Sequence, residues 1–439
     1  MEIQRRHFLK LGVFQAVALS TTLKAKAQTT PHFVPPRQGA SILQGATDDT
    51  RTQFSILHER SDLEVFVSNS QGQQWLPDEV RPLSFGNHPK KITKAFFSNL
   101  VPNENFYLNV IDPTTKQAID VREFQTLDLS KSSIRFALCS CMNEKEHSAD
   151  IWNNMVKNKP DVLFFIGDSV YADSGAGKGG ADPAYLWKRF CEARSTLEIY
   201  YSKKLIPIFA TWDDHDFGLN DTNSREYAWV KESQTNFLSF FAQDESHCQI
   251  LEKGPGISSA IKLRNHLFIL LDDRSFREKR GSRERYAHWG QEQETWMLNL
   301  VRRSAGPSWL MNGSQFFPAV PWKESVSGDH PAQFAAFLQE LKSIPNKVIF
   351  ASGDVHYSEV SRIEPEAVGY QTYELTSSSI HSKNFPGVPD IIPNGRRIAG
   401  TGQKNYILVE SEALEASSSF RATSFAGNNT VKFQMDFKV

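Results

Sequence analysis

Four short segments of the chain carry side chains that commonly bind metal ions or transfer protons. They lie at residues 139–141, 167–171, 212–216 and 352–356, and each follows an apolar run of strand length. Ligands in open α/β sheets bind beyond the carboxyl ends of the strands. We therefore expect the four segments to meet at one edge of a sheet.

The segment after residues 162–166 is the centre of this pattern. The run is unbroken, rich in β-branched and aromatic residues, and ended by Gly167, which is typical of a buried parallel strand. Asp168 is the first polar side chain beyond it, and Tyr171 follows three residues later. An ordinary Asp-Ser turn would look the same. Its interpretation as a site therefore depends on the other three segments.

The chemistry of these residues favours a pair of metal ions. Several carboxylates at one edge of a sheet would repel one another and raise each other's pKa unless a cation neutralised them. An Asp shared by two ions, with other groups binding one ion each, suits a pair about 3.5–4 Å apart. The residues alone thus predict a dinuclear metal centre.

The predicted secondary structure around these segments indicates two domains, one of strands and one of strands and helices. Residues 39–128 show short alternating strands separated by turn residues, which indicates a small β-sandwich. From residue 133 to 439, strands alternate with helices, and the helices are predicted at 149–157, 183–201, 232–241, 291–303 and 330–341. This alternation predicts a layered α/β core.

Composition and the N-terminus restrict the class of protein. The 439-residue chain has a net charge of −1 and no strongly basic segment, which argues against nucleic acid as the main partner. Arg5-Arg6, an apolar run and Ala25-Lys-Ala27 resemble a twin-arginine signal peptide over 1–27, followed by a linker over 28–38. An amphipathic basic helix is the alternative. We expect export and no transmembrane segment in the mature chain; whether Cys191 pairs with Cys248 stays open.

The order of the motifs resembles a known family. Gly-Asp-x-x-Tyr at 167–171, Asp-Asp-His-Asp at 213–216 and Gly-Asp-Val-His at 353–356 are similar to the alkaline phosphatase D (PhoD-like) family of the calcineurin-like metallophosphoesterase superfamily. The resemblance covers about residues 133–376. It implies a four-layer α/β/β/α core after a fibronectin type III-like sandwich, and export by the twin-arginine machinery to the periplasm or medium.

The resemblance also implies an activity and a role for each candidate residue. The expected reaction is hydrolysis of phosphate monoesters, diesters or both by a metal-activated hydroxide. Fe(III) with Ca(II) is the favoured pair, with Mn(II) and Zn(II) as alternatives. The implied roles are as follows: Asp168 bridges the ions, Cys141, Tyr171 and His356 bind the first, Asp214, Asp354 and Asn220 bind the second, His215 protonates the leaving group or stabilises the phosphoryl charge, and Arg274 contacts phosphate.

Other interpretations of these residues stay open at the level of sequence. Cys141 could be a buried structural thiol, Tyr171 a packing residue, and Asp272 either a ligand or a support for Arg274. His381 could line the cleft, although an exposed loop position is favoured. Two rival functions are a phospholipase-like phosphodiesterase and an inactive exported binding protein whose sandwich engages a polysaccharide or another partner.

Overall fold

The computed structural model describes residues 32–35, 39–318, 320, 323–414 and 417–439. The predicted signal peptide and most of the predicted linker lie outside the described residues. None of the described helices combines the length and the hydrophobicity needed to cross a bilayer. All four cysteines are buried and unpaired, so Cys191 and Cys248 are not joined.

Eight strands form a β-sandwich near the N-terminus. Its sheets have the orders β1-β2-β6-β5 and β4-β3-β7-β8, with only antiparallel pairs. Alternating residues such as Phe54, Phe97 and Phe124 point inward and fill the space between them. The strands are β1 (Ser41–Thr47), β2 (Thr52–His58), β3 (Glu64–Ser68), β4 (Gln74–Trp75), β5 (Glu79–Leu83), β6 (Lys91–Phe97), β7 (Asn105–Ile111) and β8 (Ala118–Gln125).

Two further sheets form the core of the remaining chain. β8 ends before the predicted boundary region at 128–133 and the first core strand begins at its end, but the domain limits themselves stay a proposal. The strands are β9 (Ser133–Cys139), β10 (Val162–Ile166), β11 (Ile208–Thr211), β12 (Leu251–Lys253), β13 (Ser259–Leu263), β14 (His266–Leu270), β15 (Ser308–Met311), β16 (Val348–Ser352), β17 (Ser358–Ile363), β18 (Thr372–Thr376), β19 (Arg397–Thr401), β20 (Asn405–Leu414), β21 (Ser417–Ala426) and β22 (Thr430–Lys438).

The two core sheets pack face to face. The first has the order β11-β10-β9-β20-β21-β22, and the second the order β12-β13-β14-β15-β16-β18-β17-β19. Their inner faces bury aromatic residues against each other, as in the edge-to-face contacts of Phe136 with Phe268 and Trp309, with ring centroids 5.1 Å apart. β9, β10 and β11 run parallel, so their carboxyl ends share one edge.

Helices cover the outer face of each sheet. The first four helices pack on the first sheet, and α5 and α7 pack on the second. The result is the predicted four-layer α/β/β/α core after a β-sandwich. The helices are α1 (Ala149–Lys157), α2 (Pro183–Thr196), α3 (Asp214–Phe217), α4 (Val230–Phe240), α5 (Gly290–Arg303), α6 (Val326–Asp329), α7 (Pro331–Lys342), α8 (Pro365–Val368) and α9 (Val388–Ile391).

One predicted helix is shorter than expected. The pattern over 183–201 predicts a single helix, but α2 ends at Thr196 and a separate 3₁₀ turn spans Glu198–Tyr201. Leu197 between them adopts extended backbone with ψ 126° and is fully buried. The helix ends there because this conformation buries the Leu197 side chain in the core.

Candidate metal centre

Two clusters of metal-ligating side chains lie where the core strands end. One contains Cys141, Asp168 and His356, and the other contains Asp168, Asp214 and His215. Within each cluster the ligand atoms lie within 4.8 Å of one another, and Asp168 belongs to both. The structure thus brings together segments after β9, β10, β11 and β16, as the strand-end pattern predicts.

Asp168 lies at the middle of the site. It is buried, and its Oδ1 has no hydrogen-bond partner among the described residues. Burial, followed by the nearby Cys141, raises the pKa of this carboxyl well above its usual range. A buried oxygen with no partner beside further acidic groups is the condition that a bound cation relieves.

The first cluster extends to Tyr171. The Tyr171 hydroxyl lies 3.0 Å from Nε2 of His356 and donates to the Ser382 hydroxyl at 2.8 Å. Cys141 Sγ lies 3.5 Å from Oδ2 of Asp168. The structure thus places the thiol, phenol and imidazole predicted for the first ion around one carboxylate.

The second cluster is formed by the start of α3. Asp214 is buried, and although burial acts to raise its pKa, the neighbouring charges of His215 and Arg274 lower it overall. Asp354 is half-buried, and its Oδ2 has no hydrogen-bond partner among the described residues. Its charge acts to raise the pKa of Asp213, the residue before Asp214. Burial raises the pKa of Asp354 to about 7, against the opposing charge of Lys323. Asp354 lies outside both compact clusters.

His215 is held by Asp173, an acidic residue for which the sequence predicted no role. Its Nδ1 lies 2.7 Å from Oδ1 of Asp173, and its ring packs on that of Tyr171 with centroids 4.1 Å apart. Burial acts to lower the pKa of His215, but the carboxylates of Asp214, Asp168 and Asp173 raise it well above its usual value. Because Nδ1 contacts Asp173, Nε2 is the His215 nitrogen that remains for a contact with substrate.

Backbone conformation distinguishes these segments from ordinary strand ends. Cys141, Asp168, Asp354 and His356 have φ values of 56°, 53°, 66° and 59°. Non-glycine residues seldom adopt this left-handed region, which costs on the order of 1–3 kcal/mol each where it persists. Such residues cluster at functional sites. All four are among the predicted ligands, although nine other described non-glycine residues also have positive φ.

Besides Asp354, two more predicted site residues lie outside the clusters. Asn220 is exposed, and its backbone N–H donates to Oδ2 of Asp173 at 3.1 Å. Arg274 is fully buried, and its guanidinium donates to Oδ1 of Asp213 and to the Thr222 carbonyl and contacts Glu324. The structure therefore does not support a phosphate contact by Arg274, because its donors are already used inside the protein.

The structure also resolves interpretations that the sequence left open. Asp272 Oδ1 accepts hydrogen bonds from the backbone N–H of Arg274 and from Nε1 of Trp212, so Asp272 supports Arg274. The expectation that His381 is exposed is wrong, because its ring is buried against Trp152 and its Nδ1 accepts from the Ser148 N–H at 3.1 Å.

The chain is similar to known proteins in sequence and in fold. No family model matches the chain. Its sequence is 22% identical to alkaline phosphatase D of Bacillus subtilis (strain 168), over 77% of this chain and 65% of that protein. A solved structure described as the structure of PhoD matches with a TM-score of 0.69 and 17% identity, over 94% of this chain and 90% of that one. The chain thus resembles PhoD proteins in sequence and shares the fold of the solved one.

The match covers only part of the relative's length. The chain spans less than two thirds of the length of the B. subtilis relative. The structural likeness, at 17% identity, establishes the shared fold.

Proposed function

We propose that the chain is a metal-dependent phosphohydrolase that cleaves phosphate esters at a dinuclear centre. The observation that carries the proposal is the pair of ligand clusters sharing the buried Asp168. The resemblance to a relative named alkaline phosphatase D supports the same reaction class.

The proposed ligands follow the chemistry of each cluster. Cys141, Tyr171 and His356 would hold one ion with Asp168, and a phenolate with a thiolate favours Fe(III) there. Asp214 and Asp354 would hold the other, and oxygen ligands suit Ca(II), with Mn(II) or Zn(II) as alternatives. When bound, such a pair supplies an activated water and positive charge opposite the phosphoryl oxygens. Asn220 would need to turn inward to contribute.

His215 is the proposed general acid. Asp173 fixes its ring through Nδ1, so a proton at Nε2 would face the site. The surrounding carboxylates favour the protonated imidazole. Nε2 can thus hold the proton that the leaving-group oxygen takes as the phosphate ester breaks. Asp168, Asp214 and Asp354 supply enough oxygen ligands for the second ion without His215.

We also propose that the protein is exported through the twin-arginine pathway. The support is the sequence signal at residues 5–27, which lies outside the described residues. This route carries folded proteins, which suits a site that must bind its ions inside the cell.

The first prediction tests the proposed reaction directly. We expect the purified chain to hydrolyse p-nitrophenyl phosphate, bis(p-nitrophenyl) phosphate or both, because two ions beside a proton donor meet the needs of either ester. Turnover should vanish after chelation and return when iron is added with calcium. The measurement is the steady-state rate for each ester before and after chelation. Absence of metal-dependent turnover on both esters would contradict the proposal.

The second prediction concerns the identity of the first ion. The native protein should show a visible charge-transfer band, because phenolate and thiolate ligands donate charge to Fe(III). Tyr171→Phe should weaken or shift this band and lower activity while circular dichroism stays unchanged. Absorption spectra with elemental analysis provide the measurement. A colourless, fully active protein that contains only zinc or manganese would refute the ferric assignment.

Tyr373→Phe is the matched control. Tyr373 is a buried tyrosine between the two sheets, where it packs on Phe420 and Phe437. The same loss of one hydroxyl there should leave the band in place.

A further inference from the structure

The segment after β18 carries a serine that contacts two of the proposed metal ligands. Ser378 is fully buried, and β17 fixes its backbone, because its N–H donates to the Ser358 hydroxyl at 3.0 Å and its carbonyl accepts from the same hydroxyl at 3.2 Å. The Ser378 hydroxyl oxygen lies 3.1 Å from Sγ of Cys141 and accepts from the backbone N–H of His356 at 2.8 Å. One hydroxyl group thus links the segment of Cys141 to that of His356.

The direction of the hydrogen bond between Ser378 and Cys141 follows from the protons available. A serine hydroxyl has one proton to donate and two lone pairs. The His356 N–H can only donate, so it uses a lone pair of Ser378 and leaves the hydroxyl proton free. Among the described residues, the Cys141 sulfur is the remaining partner of this hydroxyl. Because cysteine binds metals as the thiolate, which has no proton, Ser378 is the donor once Cys141 binds an ion.

A second hydroxyl near the same sulfur has its proton directed elsewhere. Ser140 Oγ lies 3.3 Å from Sγ of Cys141, but it donates to the Ser377 carbonyl at 2.6 Å. The carbonyl oxygen is both closer and the stronger acceptor, since sulfur accepts hydrogen bonds weakly. The two serines therefore differ in their effect on Cys141, although both hydroxyl groups lie near its sulfur.

We propose that Ser378 is a positioning residue for the first ion, which donates a hydrogen bond to the Cys141 thiolate and sets how strongly the sulfur donates charge to the metal. The inference rests on the proposed function, in which Cys141 and His356 bind that ion. Hydrogen bonds to a ligating sulfur draw electron density away from the metal and tune its reduction potential. Through the His356 N–H, the same hydroxyl also fixes the two ligand segments relative to each other.

The variant Ser378→Ala tests the inference in protein loaded with Co(II). A thiolate ligand of Co(II) gives a charge-transfer band, so this probe does not depend on the identity of the native ion. Cys141→Ala should abolish the band and thereby assign it to the sulfur. Ser378→Ala should shift the band to longer wavelength, because a sulfur without the hydrogen bond donates charge to the metal more easily. Ser378→Thr retains the hydroxyl and should retain the wild-type band. In iron-loaded protein, the reduction potential of Ser378→Ala should be more negative than that of the wild type.

Ser140→Ala and Ser352→Ala are the matched controls. Ser140→Ala removes the hydroxyl whose proton is directed away from the sulfur. Ser352→Ala removes a buried hydroxyl at the end of β16 that contacts Glu374 at 2.8 Å and Thr376 at 2.9 Å instead of a proposed ligand. Both variants should leave the band and the reduction potential unchanged.

Three outcomes would overturn the inference. They are an unchanged band in Ser378→Ala, an equal shift in Ser140→Ala, and a metal–sulfur stretching frequency in resonance Raman spectra that does not move when the wild-type protein is transferred to D2O. The last measurement needs no variant, because the Ser378 hydroxyl proton exchanges with solvent. If Cys141→Ala kept the band, the sulfur would not be a ligand, and the proposed ligand set would fail together with the inference.

Discussion

Asp168→Asn should remove both ions from the protein at once. Asp168 is the residue common to the two ligand clusters, and an amide bridges two cations much less well than a carboxylate. Loss of the metal pair removes several kcal/mol of transition-state stabilisation. We therefore expect kcat/KM for p-nitrophenyl phosphate to fall by about 10³-fold or more, at about 1.36 kcal/mol for each factor of ten. Elemental analysis and steady-state kinetics check both parts.

Variants in a single cluster provide the matched comparison. Cys141→Ala should reduce only the first ion, and Asp214→Asn only the second, since each residue belongs to one cluster. If Asp168→Asn kept one ion at full occupancy, Asp168 would not bridge. If Cys141→Ala left metal content and spectrum unchanged, Cys141 would be a structural thiol.

Arg274→Met should destabilise the protein by about 3–5 kcal/mol. The substitution leaves the buried carboxylate of Asp213 without its ion pair and takes one partner from Glu324, and an uncompensated buried charge has a cost of this size. Because the guanidinium does not face substrate, KM for p-nitrophenyl phosphate should stay near the wild-type value in the folded fraction. Urea unfolding and Michaelis–Menten kinetics give the two measurements.

The control is Arg421→Met, which removes an arginine from an exposed pair with Asp436. Solvent screens an exposed pair and little stability depends on it, so the unfolding midpoint should stay close to that of the wild-type protein. Unchanged stability with a large rise in KM for Arg274→Met would instead restore the phosphate contact that the sequence predicted.

The strand ends are the part of the site that the sequence predicts well. A strand that is buried on both faces has a continuous apolar sequence. The first polar residue after it therefore marks the carboxyl end of the strand. For this reason Asp168 and Asp214 could be placed together from the chain alone, although about 46 residues separate them in sequence. The four-layer core follows from the same alternation of strands and helices.

The connections could not be predicted in the same way. Arg274 follows a strand end just as Asp168 does, and only packing shows that its guanidinium turns inward to Asp213. Glu324 lies in a connection without periodicity, and only the structure shows that its carboxylate contacts Arg274 and Arg277. β21 was not predicted, because it begins with a run of serines that gives no strand pattern. It forms through pairing with β20 and β22.

The place of β20 in the first sheet affects how the protein is made. β20 pairs with β9, the strand that leads to Cys141, and Arg135 on β9 bonds Glu410 across 275 residues of chain. At about 5–20 residues per second, a ribosome needs roughly 14–55 s to synthesise that length. During this time one edge of β9 has no partner strand. The first core sheet therefore closes only after β20 has been synthesised, and until then the strand that leads to Cys141 keeps an open edge.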